Sequence, residues 1–394
     1  RGAGTREQGM TLISRHPNLP VTVTLGFTQT LAWASSYYLP AILAVPMAYE
    51  LDIAPSWVFA AFSAALLITA FLGPWVGRVI DRHGGRGMLM ASNLVFASGL
   101  VLMAVAQDVT GLALAWGATG IGMAMGLYDA AFASLSRLLG SAARSPITGV
   151  TLMAGFASTL GWPLSAWLEA EIGWRGACLA WAGLHVVVGL PLNRLLPVAR
   201  KSALAAEQVA EAPWPRKPRL TMALLAYVFA AGWFVSTAMA AHLPRLLQES
   251  GVSLAVAVAA SALVGPAQVV ARVAEFGLLR RFHPLVSARV ATTLHPLGAV
   301  LLGFFGIPSA GFAVLHGAGN GLMTIASGTL PLTLFGPKGY GLRQGLIIAP
   351  ARVAQATSPL VFGLMIDHLG QAALLFTSGL MLGALLALVA IRHR

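Results

Sequence analysis

Three ionic side chains interrupt long apolar runs: Asp129, Arg272 and Arg352. A charge inside a bilayer is costly, so each must face water, find a partner or bind a ligand. A carboxylate there can carry a proton, because burial favours its neutral form and a nearby cation favours the charged one. A guanidinium stays charged and grips a carboxylate or phosphate through two parallel hydrogen bonds. Asp129 therefore reads as a proton site or as a conformational lock. It lies eight residues from Arg137, about 12 Å inward at ~1.5 Å per residue. Arg352, with Gln355 one turn on, reads as a contact for an anionic substrate, or as a helix-end arginine that snorkels to the interface. Gln268, Arg272 and Glu275 fall on one helical face. An internal repeat maps Arg272 to Arg78 and Glu275 to Asp81, at the edge of a loop, which favours an internal ion pair near the cytoplasm over a substrate site.

Two polar stripes accompany these charges. His316, Asn320, Thr324 and Ser327 recur at spacings of four, four and three, which places them on one face of a helix. A lipid-facing helix has no use for such a face, so it is expected to line a cavity. His316 titrates near neutral pH if it is free, or serves as a hydrogen-bonded structural histidine. Gln29, Trp33, Ser36 and Tyr37 form a similar stripe. With Tyr227 and Phe234 they read as an aromatic and amide lining, or as packing between helices. His185 and His295 read as packing or interface residues. The chain has no phosphate-binding Gly-x-x-x-x-Gly-Lys-Ser/Thr run, no zinc-ligand spacing, no channel filter and no voltage-sensor helix. No cofactor and no metal is expected.

The elements that hold these residues must be membrane helices. Of 394 residues, 57% are hydrophobic and 10% charged, against about 25% charged in a soluble domain. The mean hydropathy is +0.77. This excludes an ordinary soluble enzyme, a disordered chain and a nucleic-acid-binding domain. The single cysteine, Cys178, excludes a disulfide framework. Residues 1–19 lack the apolar core of a signal peptide. The first methionine is Met10, so residues 1–9 are expected to be an upstream remnant.

A spanning helix takes roughly 20 apolar residues, and twelve such runs can be placed. They cover about 21–47, 56–77, 87–107, 111–137, 146–169, 174–196, 219–246, 252–278, 286–306, 309–335, 345–367 and 371–391. Pro40, Pro163, Pro266 and Pro359 are expected to kink these helices rather than end them. With the N-terminus inside, 21 of the 25 basic residues fall in cytoplasmic segments, and the opposite loops keep Arg175 and Arg245. The positive-inside rule then explains the net charge of +12 and puts both termini in the cytoplasm.

The organisation expected is a cytoplasmic segment over 1–20, a six-helix bundle over 21–196, a Pro-rich cytoplasmic linker over 197–218, a second bundle over 219–391 and a cytoplasmic end at 392–394. The bundles repeat each other. An offset of 196 carries Gly149 to Gly345, Pro163 to Pro359 and Gly183 to Gly379. An offset of 200 carries Trp33 and Ser36 to Trp233 and Ser236, and one of 199 carries Gly120 and Gly122 to Gly319 and Gly321. The fold class is an all-α polytopic membrane protein of two pseudo-symmetric bundles around a central cavity.

The loop Gly77-Arg78-Val79-Ile80-Asp81-Arg82-His83-Gly84-Gly85-Arg86 resembles the signature loop of the major facilitator superfamily, and a weaker copy follows at Arg272 to Glu275. Gly85 stands where that family usually places a basic residue, leaving the charge to Arg86. Within the superfamily, Tyr37-Tyr38-Leu39-Pro40, Leu127-Tyr128-Asp129-Ala130-Ala131-Phe132 and Arg272 look most like the bacterial monocarboxylate-transporter-like branch. Well-known members of that branch have Asp where this chain has Gln268.

The resemblance implies a secondary transporter in the bacterial inner membrane that works by alternating access. It implies a gating set of Asp81, Arg82, Arg86, Arg272 and Glu275, with Asp81 bonding the start of the eleventh helix near Gly345 to Ile347. The lock reading pairs Asp129 with the basic residues of that loop. The expected cargo is a small organic solute, with a weak preference for a carboxylate because of Arg352, and protons drive it. The alternatives are an efflux carrier for drugs or metalloids, and a solute sensor or lipid translocase. The expected partners are a small-molecule substrate, protons and the lipid bilayer, with no nucleic acid, and the expected state is a monomer.

Overall fold

A computed structural model describes residues 18–139, 143–198, 219–277, 283–305, 308–335 and 340–391. All of the regular structure among them is helical. The first expected span is two helices, α1 (Leu19–Ser35) and α2 (Pro40–Glu50). The Ser35 and Ser36 hydroxyls donate back to the Leu31 and Ala32 carbonyls at 2.8 and 2.6 Å, competing with the helical ladder where it stops. Pro40 then opens α2, where its missing N–H is no loss. Next come α3 (Pro55–His83) and α4 (Gly85–Val105). Gly84 between them holds φ at 85°, a conformation that favours glycine.

The fourth expected span also divides, into α5 (Val109–Gly126) and α6 (Tyr128–Leu139), at the extended residue Leu127. Asp108 caps α5 by accepting from the Gly111 amide at 2.7 Å. The next helices are α7 (Arg144–Ala154), α8 (Ala157–Leu184, bent at Gly173) and α9 (Leu190–Arg194), the last two joined by a π-helical turn over His185–Gly189. The remaining helices are α10 (Arg219–Gln248), α11 (Leu254–Ala262), α12 (Val264–Gly277), α13 (Pro284–Phe305), α14 (Ser309–Phe335), α15 (Tyr340–Leu369) and α16 (Ala373–Ala390). Pro163 and Pro359 lie inside α8 and α15, as expected of kinks. Pro40 and Pro266 instead lie in the first turns of α2 and α12, where one helix has stopped and the next begins.

Nine stretches of the described residues are long and apolar enough to cross a membrane. Two of them, Pro146–Arg194 and Ile347–Ala390, run 49 and 44 residues, more than twice the roughly 20 one crossing takes. They turn at Gly173 and Gly370, whose φ angles are 69° and 54°. The helix α14, which carries the His316–Ser327 stripe, adds a further 27 residues. Large apolar side chains cover the outside, as at Phe71, Val187 and Leu386. In a bilayer that surface faces lipid, and tight helix contacts must come from small residues.

Glycines supply those contacts. A Cβ on Gly120 would sit 2.6 Å from the Ala65 carbonyl of α3, and one on Gly317 would sit 2.6 Å from the Val264 carbonyl of α12. Gly122 and Gly319 make the matching contacts with Phe96 of α4 and Ala291 of α13. The packing thus aligns Gly120 with Gly317 and Gly122 with Gly319, two residues away from the alignment read in the sequence. Register in a Gly-rich helix is set by which neighbour each glycine meets, and the sequence alone does not show that. The variant Gly317→Val should force α14 off α12 at a cost of about 1–3 kcal/mol. A lower midpoint of thermal unfolding in detergent checks this, and an unchanged midpoint contradicts it.

The first bundle's helices meet the second's mainly through α3 with α15, α8 with α11 and α12, and α2 with α10. These contacts gather toward the end of the molecule that holds Glu50 and Asp367. There the Leu360 amide donates to Ser63 Oγ at 3.3 Å, and Thr159 donates to the Ala262 carbonyl at 2.8 Å. His242 of α10 bonds the Pro359 carbonyl at 2.7 Å and lies 3.9 Å, centroid to centroid, from Phe59 of α3. Pro359 cannot donate to the ladder of α15, and the kink there turns adjacent backbone groups toward these partners.

Candidate functional site

The break at Leu127 builds the first part of the site. It leaves the Gly126 carbonyl outside the ladder of α5, and the buried Gln29 of α1 donates to it at 2.6 Å. The chain then restarts as α6 with Tyr128 and Asp129 in its first turn. The Asp129 carboxylate faces Arg352 of α15, whose Nη2 lies 3.1 and 3.3 Å from its two oxygens. Arg352 Nη1 donates to Gln355 Oε1 at 3.3 Å, and Gln355 Nε2 donates to the Tyr37 hydroxyl at 3.4 Å. Tyr37 in turn shares a 2.6 Å hydrogen bond with Thr237 of α10. One polar chain therefore crosses between the bundles three times.

The Asp129–Arg352 pair is open, with side chains 65% and 42% exposed. Exposed pairs contribute about 0–1 kcal/mol. This one can break and re-form without disturbing the fold. The partner of Asp129 is thus an arginine of the opposite bundle and not the loop after α3. Arg82 is exposed, and Arg86 is half-buried. The side chains of Asp81 and of residues 340–346 lie outside the described residues, and so does the expected contact of Asp81 with Gly345. Gly85 is explained by packing: a Cβ there would run into the Ser134 hydroxyl of α6.

Arg272 forms the second part. Its Nη1 donates to the Thr151 carbonyl of α7 at 2.9 Å, and its Nη2 reaches Gln268 Oε1 at 3.3 Å and Thr324 Oγ1 at 3.5 Å. Its Nε is buried without a hydrogen-bond partner. No carboxylate pairs with it among the described residues. The expected ion pair with Glu275 does not form. Glu275, one turn on, accepts instead from Ser287 of α13 at 2.7 Å. Gln268, where a carboxylate would have neutralised Arg272, is neutral, so the positive charge stands uncompensated.

Aromatic rings surround these polar groups. Trp33 lies 4.8 Å from both Tyr37 and Tyr128 and 6.4 Å from Tyr38, between ring centroids. Tyr38 meets Tyr37 and Trp162 at 5.4 Å each. Tyr38 and Tyr128 are both within electrostatic reach of Arg272. Asn320 and Thr324 line a small cavity with Gly232, Trp233, Ser236 and Met323, beside the Arg272 contact. Tyr227 does not join them: its hydroxyl donates to the Leu380 carbonyl of α16 at 3.3 Å. Tyr38 and Tyr128 are the site residues that spacing arguments passed over. Tyr38 and Tyr128 sit next to Tyr37 and Asp129, at helix breaks where a 3.6-residue period no longer predicts facing.

His185 is a packing residue, bonded to Asn93 of α4 at 2.9 Å and to Ser35 of α1 at 2.7 Å. At the far end, Arg175 pairs with Glu50 at 2.7 Å and Arg245 with Asp367 at 2.5 Å, each within its own bundle.

Known proteins resemble the chain in sequence and in fold. A family model for the Major Facilitator Superfamily matches residues 25–315. The chain is 30% identical over 219 residues to the 3-(3-hydroxy-phenyl)propionate transporter of Escherichia coli K12, covering 52% of this chain and 51% of that one. It is 23% identical over 351 residues to an MFS-type transporter of Gibberella moniliformis, covering 84% and 81%. It is 32% identical over 180 residues to the inner membrane transport protein YdhP of Escherichia coli K12, covering 43% and 45%. The matches thus span about half the length of the two bacterial relatives. Among solved structures, a point mutant of the nucleoside transporter NupG superposes with a TM-score of 0.74 at 14% identity, over 95% of this chain and 99% of that one. A POT family transporter in complex with 5-aminolevulinic acid superposes with a TM-score of 0.70 at 12% identity, over 94% of each. The family match runs over most of the chain and the fold is that of these solved structures, so the chain belongs to the Major Facilitator Superfamily and is a multi-pass membrane protein.

Proposed function

We propose that this chain is a proton-coupled secondary transporter of small aromatic monocarboxylates, working by alternating access between two six-helix bundles with twelve crossings and both termini in the cytoplasm. The observation that carries the substrate class is Arg272. It is a guanidinium without a carboxylate partner among the described residues, with a buried Nε that lacks an acceptor, beside Trp33, Tyr38 and Tyr128. A carboxylate satisfies the charge and the free donor, and a flat ring fits against the aromatic side chains. The bacterial relative named for 3-(3-hydroxy-phenyl)propionate carries cargo of that kind. The distribution of basic residues supports the cytoplasmic termini.

Arg352, the first candidate for the anion from sequence, already holds Asp129. We assign that pair to the lock between the bundles at the end away from Glu50, with Gln355, Tyr37 and Thr237 extending it. Contacts between the bundles gather at the Glu50 end, and toward the other end the exposed Asp129–Arg352 pair is the tie that must break for the cavity to open to the cytoplasm. In Asp129→Asn the bundles lose this tie, and transport should slow while affinity for the carboxylate stays. The exchange Asp129→Arg with Arg352→Asp should restore the rate. Transport by the double variant no faster than by the single one, measured in proteoliposomes, contradicts the assignment.

The substrate class is tested by thermal unfolding of the purified protein with 3-phenylpropionate and with its amide. A ligand at 100 times its Kd stabilises the folded state by about 2.7 kcal/mol. The acid should raise the midpoint in a concentration-dependent way and the amide should not. Equal shifts remove the case for an anionic substrate.

A further inference from the structure

The second bundle buries two imidazoles in contact. His295 of α13 and His316 of α14 are 2% and 4% exposed, and their Nδ1 atoms lie 3.1 Å apart. His295 Nε2 is 2.9 Å from Thr377 Oγ1 of α16, and the Thr377 hydroxyl donates its own proton to the Leu374 carbonyl at 3.1 Å. With the hydroxyl proton directed to Leu374, a single set of directions satisfies the whole chain of bonds. Thr377 Oγ1 must accept, so His295 carries its proton on Nε2 and its Nδ1 is bare. His316 must then donate from Nδ1, which leaves His316 Nε2 as a free lone pair. His316 lines a cavity shared with His295, Ser236 and Asn320. This cavity adjoins the one lined by Trp233, Asn320 and Thr324, and Thr324 contacts Arg272. The polar stripe on α14 therefore leads from the proposed carboxylate site to an unprotonated nitrogen two turns away.

We propose that His316 Nε2 is the binding site for the driving proton, with His295 as its positioning residue. The proton comes from water in the cavity, bonds to the Nε2 lone pair and returns to water on release. No other group changes its covalent state. The hydrogen bonds to His295 and Thr377 survive protonation, because the pair donates in one direction only. The ring of Phe312 stacks on His316 at 6.1 Å and stabilises a cationic imidazole.

The charged and titratable groups on the helices around the pair are engaged elsewhere. On α13, Arg289 donates to the Leu388 carbonyl. On α10, Tyr227, His242 and Arg245 bond Leu380, Pro359 and Asp367, and Arg219 begins the helix at its far end. On α12, Glu275 accepts from Ser287, and Arg272 is the cation at the other end of the stripe. On α15, Arg352 is held by Asp129, and Asp367 and His368 lie at the far end of the helix. The helices α11 and α16 carry no titratable side chain. A bound proton and a bound carboxylate cancel, so loading the two sites together leaves the net charge of the cavity unchanged. That is the basis of coupling, and it rests on the carboxylate reading above.

The test separates the two claims. His316→Asn keeps an amide N–H in place of Nδ1–H, so the bond to His295 survives while the basic nitrogen is gone. In the empty protein, labelled with 15N-histidine and held in lipid nanodiscs, the Nε signal of His316 should shift as the pH is lowered. It should vanish in His316→Asn. A wild-type spectrum in which no signal assigned to His316 or His295 moves with pH overturns the proposal, whatever the substrate is. In proteoliposomes with labelled 3-phenylpropionate, the same variant should lose accumulation driven by a pH gradient while still exchanging labelled for unlabelled acid. Wild-type accumulation by His316→Asn overturns the proposal. If the wild type neither exchanges nor accumulates the acid, the carboxylate reading fails, and the titration alone decides the proton site.

Discussion

Replacing Arg272 with glutamine should abolish binding of an aromatic carboxylate, and replacing it with lysine should weaken binding without removing the charge. The guanidinium keeps an unpaired charge and a free Nε–H, and a carboxylate that displaces the long Nη2 contacts to Gln268 and Thr324 gains two charge-assisted hydrogen bonds. Each contributes about 1.5–3 kcal/mol, so losing both should raise Kd by about 100-fold or more. Lysine keeps a point charge but loses the planar fork, and an intermediate loss is expected. Arg272 also ties α12 to the Thr151 carbonyl of α7. The unfolding midpoint of each variant without ligand separates a binding defect from a folding one. If Arg272→Gln binds 3-phenylpropionate as tightly as the wild type, the substrate does not use this group.

The second large effect should come from Gly363→Trp. A Cβ at Gly363 would already lie 3.0 Å from the His242 ring and 3.4 Å from Phe59. An indole there cannot fit between α15, α10 and α3. It should wedge open the end that holds Glu50 and favour the conformation opposite to the one described. The reporter is Ser63→Cys, a position 7% exposed in the sealed interface. The native thiol, Cys178, is fully buried and stays silent. A membrane-impermeant maleimide should label Ser63→Cys slowly alone and rapidly in combination with Gly363→Trp, and turnover should fall. Equal labelling in both backgrounds would mean that α3 and α15 do not form a gate.

Much of this was legible in the chain. The apolar runs, the breaks between them at 169–174 and 367–371 and the charges at 129, 272 and 352 follow from composition and spacing, because a bilayer forces backbone groups into helices and makes each buried charge conspicuous. The partners of those charges were not legible. Helical spacing aligned Arg272 with Glu275, yet the side chains turn to Thr151 and Ser287 on other helices. Spacing reports which residues share a face and is silent on which neighbour covers it. The interruptions at Ser36–Leu39 and Leu127 were hidden as well, since an apolar run reads the same whether or not its helix restarts. Those interruptions bring Tyr38 and Tyr128 to Trp33. The meeting of His295 with His316 depends on how α13 seats against α14, which is a packing outcome.

The most direct test is counterflow in proteoliposomes loaded with unlabelled 3-phenylpropionate and diluted into a trace of the labelled acid. Alternating access through a carboxylate site predicts a transient excess of label inside, suppressed by added 3-phenylpropionate, not by 3-phenylpropionamide, and absent in Arg272→Gln. No transient excess in the wild type, or suppression by the amide as strong as by the acid, would contradict the account.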